Sequence, residues 1–411
     1  TLTAGRNHVC AILDDASVRC WGWNQYGQLG VGYANSSTPY GISTPQQVNL
    51  GTGITARGIA AAYMHTCAQL DNGSVKCWGG NYQGQVGDGT TWDRYSPVSV
   101  DLGVGNTAVA IATPYHSSCA LLQDGSIKCW GFGGDGVLGN GNPTWPQTTP
   151  ELVSLPSGRT AIAIAAGGEN SQHVCVILDN NSVNCWGFNY YGQVGDGTNT
   201  NRNTPTYVDI GGSGIARAVA VGGHMSCAVL DDASLKCWGD IFETTGDPSN
   251  TPTSMTLPTG RHMDLSERDI DGDGTLNIFD THMPGGQEDS IHMDSTLAAG
   301  GSHTCVLLVN GSVACWGNAE YGMLGHGSTT DSSTPVNVSL PSGRTATAIS
   351  AGRWHTCAIM DNGSLMCWGK GTDGQIGDGT ATHRSTPSYV SLPSGRTAEA
   401  VTGGRWHTCA I

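Results

Sequence analysis

Fourteen of the fifteen cysteines stand in pairs with nine residues between the members: Cys10 with Cys20, Cys67 with Cys77, Cys119 with Cys129, Cys175 with Cys185, Cys227 with Cys237, Cys305 with Cys315, and Cys357 with Cys367. A lone Cys409 follows. The first members lie 57, 52, 56, 52, 78, 52 and 52 residues apart. Self-similarity at such a period means one supersecondary unit repeated, and a unit that cannot bury its apolar face alone must stack on its neighbours. The chain therefore reads as seven complete repeats and the start of an eighth.

Each repeat carries the same words. One reads HTCAQLDNGSVKCWG from His65 to Gly79, another HTCAIMDNGSLMCWG from His355 to Gly369. A Gly-rich segment follows, such as Gly84 to Thr90, then a Pro within a short alternating run, such as Ser96 to Val100. A small apolar run such as Ala161 to Gly168 opens the next unit. This pattern predicts four short strands per repeat joined by turns. No segment sustains a 3.6-residue apolar period. Glycine at 61 of 411 residues and charged residues at 12% also suit tight turns better than surface helices. The expectation is an all-β, seven-bladed β-propeller of four-stranded blades plus the start of an eighth repeat. Closure into a ring would protect the sheet edges.

The cysteine spacing has a geometric reason. Asn72 is the midpoint between Cys67 and Cys77, inside Asp71-Asn72-Gly73. A three-residue hairpin loop with its third residue left-handed puts the two cysteines directly opposite each other. Opposed Cα atoms lie about 4.5–5.5 Å apart, within disulfide range. The third position is Gly73, Gly125, Asn181, Gly311 and Gly363, which tolerate positive φ, but Ala16 and Ala233 in two repeats, a poorer fit. One disulfide per blade is expected; seven reduced buried pairs, or zinc ligands at an unusual spacing, are the alternatives. Disulfides imply an oxidising compartment, and so an extracellular or cell-surface protein. Asn-x-Ser sequons at Asn35, Asn72, Asn180, Asn310, Asn337 and Asn362 are compatible with secretion, although four coincide with the hairpin turns.

The words Gly-x-x-His-Thr-Cys-Ala, Asp-Asn-Gly-Ser-Val-x-Cys-Trp-Gly and Gly-Gln-Val-Gly-Asp-Gly resemble the regulator of chromosome condensation repeat. The resemblance covers nearly the whole chain and implies a seven-bladed propeller. Members of that family include a nuclear nucleotide-exchange factor that docks on chromatin, and binding scaffolds such as a secreted bacterial inhibitor of β-lactamases. The resemblance therefore implies a binding role but names no ligand.

The 78-residue spacing holds an insertion, giving propeller segments 1–261 and 296–411 around residues 262–295. Within it runs Asp269-Ile-Asp-Gly-Asp-Gly-Thr-Leu-Asn-Ile-Phe-Asp280. Asp269, Asp271, Asp273, Thr275 (through its carbonyl), Asn277 and Asp280 fall at the ligand positions of a calcium loop, with Gly274 at the sharp turn. The motif resembles dockerin and thrombospondin type-3 loops, which also end in Asp. Bound Ca²⁺ would rigidify the insertion; an acidic linker without metal is the alternative. Repeat five also departs from the pattern, reading Gly239-Asp-Ile-Phe-Glu-Thr-Thr-Gly-Asp247 where others carry Gly-Gln-Leu-Gly.

No catalytic motif emerges: there is no nucleophile elbow, no phosphate loop with Lys and no outstanding carboxylate pair, so no enzyme is expected. The histidines two residues before a Cys (His8, His65, His173, His303, His355, His407) recur in nearly every repeat, as structural residues do. Trp21, Trp78, Trp130, Trp186, Trp238, Trp316 and Trp368 follow the second Cys and should pack between blades. The remaining aromatic and Arg residues on loops, Trp92, Arg94, Tyr95, Trp145, Arg353, Trp354, Arg405 and Trp406, are the binding candidates, because Trp, Tyr and Arg dominate hot spots.

Eighteen Lys and Arg against 33 Asp and Glu give a net charge of −15, which argues against nucleic acid as partner. No stretch of about 20 apolar residues could span a membrane. The chain opens on Thr1 without a leader-like stretch and reads as mature or partial. Residues 400–411 repeat the opening words, which implies a longer array, strands that work between molecules, or a terminus left unpaired. The partner is expected to be a protein, a glycan or copies of the chain itself. The first reading is a non-enzymatic interaction scaffold; the alternative is a structural subunit of an extracellular fibre or surface layer.

Overall fold

The computed structural model describes residues 1–37, 40–167, 171–212, 214–241, 248–258 and 297–411. The calcium-type loop, 269–280, lies outside them. The fold is an all-β, seven-bladed β-propeller: seven four-stranded antiparallel sheets, each built from consecutive strands, and a final two-stranded sheet. Blade two shows the plan, with strands Ala56–Ala61, His65–Leu70, Val75–Gly79 and Arg94–Val100 in that order.

The chain forms two compact units. The first, residues 1–190 and 198–208, holds blades one to four. The second, residues 191–197 and 209–411, holds blades five to seven and the final pair Val401–Gly403 and Thr408–Ala410.

The hairpin register is as expected: Cys67 faces Cys77, Thr66 faces Trp78 and His65 faces Gly79. The same register puts Cys10 opposite Cys20, Cys119 opposite Cys129, Cys175 opposite Cys185, and Cys227 opposite Cys237. It also sets Cys305 opposite Cys315 and Cys357 opposite Cys367. All seven pairs sit at disulfide distance, one in each blade, as the spacing required. Their Cα separations are 4.0–4.1 Å, slightly shorter than the expected span of opposed residues. Ala16 and Ala233 adopt the same left-handed conformation as the glycines, at φ 57° and 60°. The turn is closed by a side chain as well. Asn72, Asn180, Asn310 and Asn362 accept from the Ser two residues on, and Asp15, Asp124 and Asp232 accept the same bond in the other blades. Turn chemistry thus accounts for the four sequons at the hairpin tips.

Successive blades are joined by one repeated polar clasp inside an apolar core. At blades one and two, Thr66 Oγ1 and Trp78 Nε1 both donate to the main-chain oxygen of Gln28, at 3.1 and 2.9 Å. Ser118 and Trp130 do the same to Gln85, Ser226 and Trp238 to Gln193, and Thr356 and Trp368 to Met323. The Gly-Gln-Val-Gly turn therefore presents an acceptor to the next blade. Its second glycine must be glycine: Gly87 has φ +79°, and a Cβ there would collide with the Trp130 indole. Trp78, Trp130, Trp186, Trp238, Trp316 and Trp368 are fully buried, while Trp21, which no earlier blade of its unit covers, is half-buried.

Histidine completes the clasp. Nε2 of His8, His65 and His303 lies 2.7–2.8 Å from the hydroxyl of Thr66, Ser118 and Thr356. Where the hydroxyl spends its proton on the carbonyl, it must accept from the ring, which fixes the neutral Nε2–H tautomer. The final pair docks on blade seven the same way, through His355, Thr408 and the Gln375 carbonyl. The packing role expected of the repeated histidines is thereby explained. At blades three and four Val174 faces Trp186 in place of the hydroxyl residue, and Trp186 donates to Val137 O.

One junction breaks the rule. In blade six Thr304 Oγ1 points to the Met225 sulfur, and the buried Trp316 Nε1 finds no acceptor among the described residues. Repeat five lacks the Gly-Gln-Leu-Gly words in its sequence, and residues 242–247, where they would stand, lie outside the described residues. Trp316→Phe is therefore expected to cost only the packing lost with the indole in thermal unfolding. Trp130→Phe and Trp368→Phe each remove a formed hydrogen bond and should cost about 1 kcal/mol more. Equal costs for the three variants would contradict the clasp.

Every outer strand carries a proline: Pro45, Pro97, Pro150, Pro205, Pro252, Pro335 and Pro387. Proline cannot donate to a ladder, so these edges are blunted against pairing with another sheet.

Candidate functional site

In each meander the connections between strands one and two and between strands three and four lie at the same end. The cysteine hairpin turns at the other. All eight binding candidates fall at the first of these ends, on those connections or, for Arg94 and Tyr95, at the start of the fourth strand.

In the second unit the topology brings four of them together. Arg353 and Trp354 lie between Ala346–Ala351 and His355–Met360, and Arg405 and Trp406 lie at the same place in the final pair. The Trp354 and Trp406 rings are 4.6 Å apart, tilted by 57°. Lys370, directly after the third strand of blade seven, joins them. Its Nζ stands 4.0 Å from the Trp406 centroid, 4.8 Å from Trp354 and 5.8 Å from Tyr321. The Arg353 guanidinium lies 4.6 Å from Trp354, and that of Arg405 lies 5.1 Å from Trp406 and 5.7 Å from Trp354. Three cations thus share two indoles, an arrangement in which the ring quadrupole holds each charge. Lys370 also pairs with the exposed Asp373 at 3.2 Å. The two tryptophans and three cations are all partly exposed.

The backbone positions these groups tightly. Lys370 N donates to Trp354 O at 2.8 Å, and Arg353 N donates to Gly404 O at 3.3 Å. A Cβ on Gly352 or Gly404 would land on the ring of His355 or His407, so the loop before each Trp lies against an imidazole, buried for His355 and half-buried for His407. Burial holds His407 down at about 4 and His355 at about 3, leaving both neutral near pH 7. His224, 4.6 Å from Tyr191, is also lowered, by burial and then by Arg353. The positive charge of this face therefore comes from Arg353, Lys370 and Arg405.

The other candidates lie in the first unit. Trp92, 75% exposed, and Trp145, 56% exposed, stand on separate loops, and Trp145 packs 5.8 Å from Phe132. Tyr95 is exposed on the outer strand. Arg94 is engaged by Asp88 and by Thr90 Oγ1, bonds that tie its own loop.

Sequence reading missed a second aromatic group in this unit. Tyr63, Tyr115 and Tyr82 surround His116 at ring separations of 4.8, 3.9 and 5.1 Å, and Arg6 covers Tyr63 at 4.3 Å. Tyr82 Oη lies 2.6 Å from His116 Nε2. Burial drives His116 down to about 4 and Tyr82 up to about 12. The available signal was the shift of His116 by one residue from the repeat position, which frees it from the clasp. Lys370 and Tyr321 were missed too; Lys370 stands where other repeats carry Trp, Gly, Phe, Asp or Asn.

Among the described residues no three His, Cys, Asp or Glu side chains converge as metal ligands, and no helix is long and apolar enough to cross a membrane.

The regulator of chromosome condensation (RCC1) repeat model matches residues 15–69, 72–121, 124–176, 180–229, 310–359 and 362–411. The chain belongs to the RCC1 repeat family. Its relatives include the ultraviolet-B receptor UVR8 of Arabidopsis thaliana, 26% identical over 396 residues, covering 96% of this chain and 82% of the relative. The E3 ubiquitin-protein ligase HERC2 of mouse is also 26% identical over 95% of this chain, but the match spans only 7% of that protein. Among solved structures, Prp20p of Saccharomyces cerevisiae has a TM-score of 0.68 at 18% identity, covering 99% of this chain and 91% of its own. Human WBSCR16 has a TM-score of 0.63 at 17% identity, covering 100% and 86%. These two share the fold. The stretch between its fourth and fifth matches, residues 230–309, spans the end of blade five, the insertion and the first two strands of blade six, and a second RCC1 repeat model matches residues 295–322.

Proposed function

We propose that this RCC1 repeat chain is a non-catalytic interaction propeller that works outside the cell and engages a protein partner through the face of Trp354 and Trp406. The observation that carries the reading is the convergence of two tryptophans, Lys370 and two arginines on one loop end of the second unit. Preorganised Trp and Arg groups at partly desolvated positions make interface hot spots. Relatives support a binding role: Prp20p is described with binding properties to Gsp1p and histones, and yeast RCC1 with bound Kap60. Protein is favoured over glycan because cations already cover the indole faces that a sugar ring would stack on. Seven disulfide-distance pairs support an oxidising compartment.

The test compares wild type with the double variant Trp354→Ala and Trp406→Ala as bait for extracellular proteins, followed by titration of each captured protein in pure form. A partner should bind the double variant at least about 30-fold more weakly, with its melting temperature unchanged. Equal affinity would remove this face from the function.

The structural-subunit alternative draws its support from the motif between Asp269 and Asp280. The prolines of the outer strands weigh against growth by sheet pairing. Calcium binding is itself part of the proposal. Calorimetric titration of the whole chain should give one site with a dissociation constant on the order of 10⁻⁴–10⁻³ M, lost when Asp271→Ala and Asp273→Ala are combined. No heat in the wild type would refute it.

A further inference from the structure

We infer that Tyr82 is a redox-active tyrosine: a one-electron oxidant of the peroxide-activated haem class takes an electron from its ring while the phenolic proton passes to Nε2 of His116. The inference concerns the first unit and does not depend on the binding face of Trp354 and Trp406.

Geometry comes first. Tyr82 Oη lies 2.6 Å from His116 Nε2, at the range across which a proton is handed over directly. A neutral imidazole has one acceptor nitrogen, and with the proton on Nδ1 the phenol donates to Nε2. Main-chain bonds hold both partners. Phe132 N donates to His116 O at 3.0 Å, and Ser117 N donates to Pro114 O at 2.7 Å, closing the turn that carries His116. Beside Tyr82, Asn81 N donates to Asp93 Oδ1 at 2.8 Å, and Asn81 Nδ2 donates to the carbonyls of Thr90 and Trp92. The rings of Tyr63 and Tyr115 pack on the imidazole at 4.8 and 3.9 Å. His116 is therefore buried and fixed, while Tyr82 is 47% exposed and meets the oxidant from solvent.

Chemistry comes second. An electron taken from a phenol that keeps its proton leaves a radical cation of high energy. An electron taken together with the proton leaves a neutral phenoxyl radical. Burial raises Tyr82 to about 12, so near pH 7 no phenolate offers an easier route. Burial, and then Arg6, lowers His116 to about 4, so the imidazole is neutral and able to accept. A phenol radical cation is a far stronger acid than that imidazolium, so the transfer runs downhill. The Tyr82 O–H bond breaks, an N–H bond forms at His116 Nε2, and the electron goes to the oxidant. The imidazolium then gives its proton to water. The balance is one phenol to one phenoxyl, one electron to the oxidant and one proton to solvent.

Selectivity follows from the base. Tyr33, Tyr95, Tyr207 and Tyr389 are as open to solvent as Tyr82, but among the described residues none of the four has an imidazole nitrogen at hydrogen-bond distance.

The test mixes the full chain at pH 7 with hexachloroiridate(IV), an outer-sphere one-electron oxidant, at less than one equivalent and with a nitroso spin trap present. Peptide mass mapping locates the adducts. The first adduct should fall on Tyr82, and Tyr82→Phe should remove it. His116→Gln keeps a hydrogen-bond acceptor but no base, so it should slow oxidation of Tyr82 at least about tenfold at an unchanged melting temperature. The wild-type rate should also fall in heavy water, because the O–H bond breaks in the same step. Equal rates in His116→Gln and wild type, no solvent isotope effect, or adducts on Tyr33, Tyr207, Tyr389 or Trp92 ahead of Tyr82 would overturn the inference. The isotope measurement needs the wild type alone, so it decides the case even where His116→Gln fails to fold.

Discussion

Acidification from pH 7 to pH 5 is expected to lower the melting temperature by on the order of 10–20 °C. The cause is the buried imidazoles. Burial pushes His65 and His355 down to about 3, and His116, His303 and His407 to about 4. In the unfolded chain the same groups titrate near 6.5. Between about pH 6.5 and pH 4 the unfolded state therefore binds protons that the folded state refuses, and stability falls as pH falls. At pH 5 each histidine gives up about 2 kcal/mol, with two of them in the first unit and three in the second. The chemistry is visible in the clasp. The His303 Nε2–H already donates to a hydroxyl, and its Nδ1 is buried without an acceptor among the described residues. A second proton would put an unpaired charged donor into the core. Differential scanning calorimetry at pH 7, 6 and 5 measures the slope. His355→Gln keeps a donor but cannot titrate, so its slope should be shallower. A melting temperature that is flat from pH 7 to pH 5 would refute the account.

Reduction of the disulfides should do as much or more. Each bridge spans ten positions of sequence, and on the chain-entropy model each contributes about 2–3 kcal/mol. The first unit holds four and the second three. Their summed effect rivals the whole stability of an ordinary domain, about 5–15 kcal/mol. The cysteines of the seven pairs are buried, so a thiol reagent reaches them only through opening of the blade. Protein unfolded and refolded in dithiothreitol should fail to regain its far-ultraviolet β signal at 37 °C, while oxidised protein should regain it. Removing one bridge, by combining Cys119→Ala with Cys129→Ala, should cost about 2–3 kcal/mol in denaturant unfolding. Recovery of the reduced chain to full stability would show that blade packing alone is sufficient.

Much of the fold was legible in the residues because it is local. The register of Cys67 against Cys77 follows from a three-residue turn and a period of two, and every repeat states it again, from Cys10 against Cys20 to Cys357 against Cys367. The burial of the tryptophans after each second cysteine was legible for the same reason. What they bond to was not. The acceptor for Trp130 Nε1 is the carbonyl of Gln85, 45 residues earlier, on a turn whose glycines disclose only that it is tight. The departure of repeat five from that turn was visible. Its consequence, a Trp316 donor without an acceptor among the described residues, depends on a neighbour that stacking brings into place.

The binding face divides in the same way. Trp354 and Trp406 hold the same place in successive repeats, so the chain itself specifies that they belong to one layer. Lys370 and Tyr321 come from a different connection, and only the stacking of blades sets the Lys370 ammonium over both indoles. Likewise the four candidates of blades two and three lie at the same end of their blades, but nothing among the described residues joins Trp92 to Trp145. The amino-acid sequence by itself determined the blade, its hairpin, its disulfide and the count of repeats, since each depends on residues within about 50 positions of one another. Tertiary structure decided which loops meet, which carbonyl serves each buried donor and where positive charge gathers in an acidic chain. Those depend on how whole blades pack face to face, and no local period in the chain encodes that.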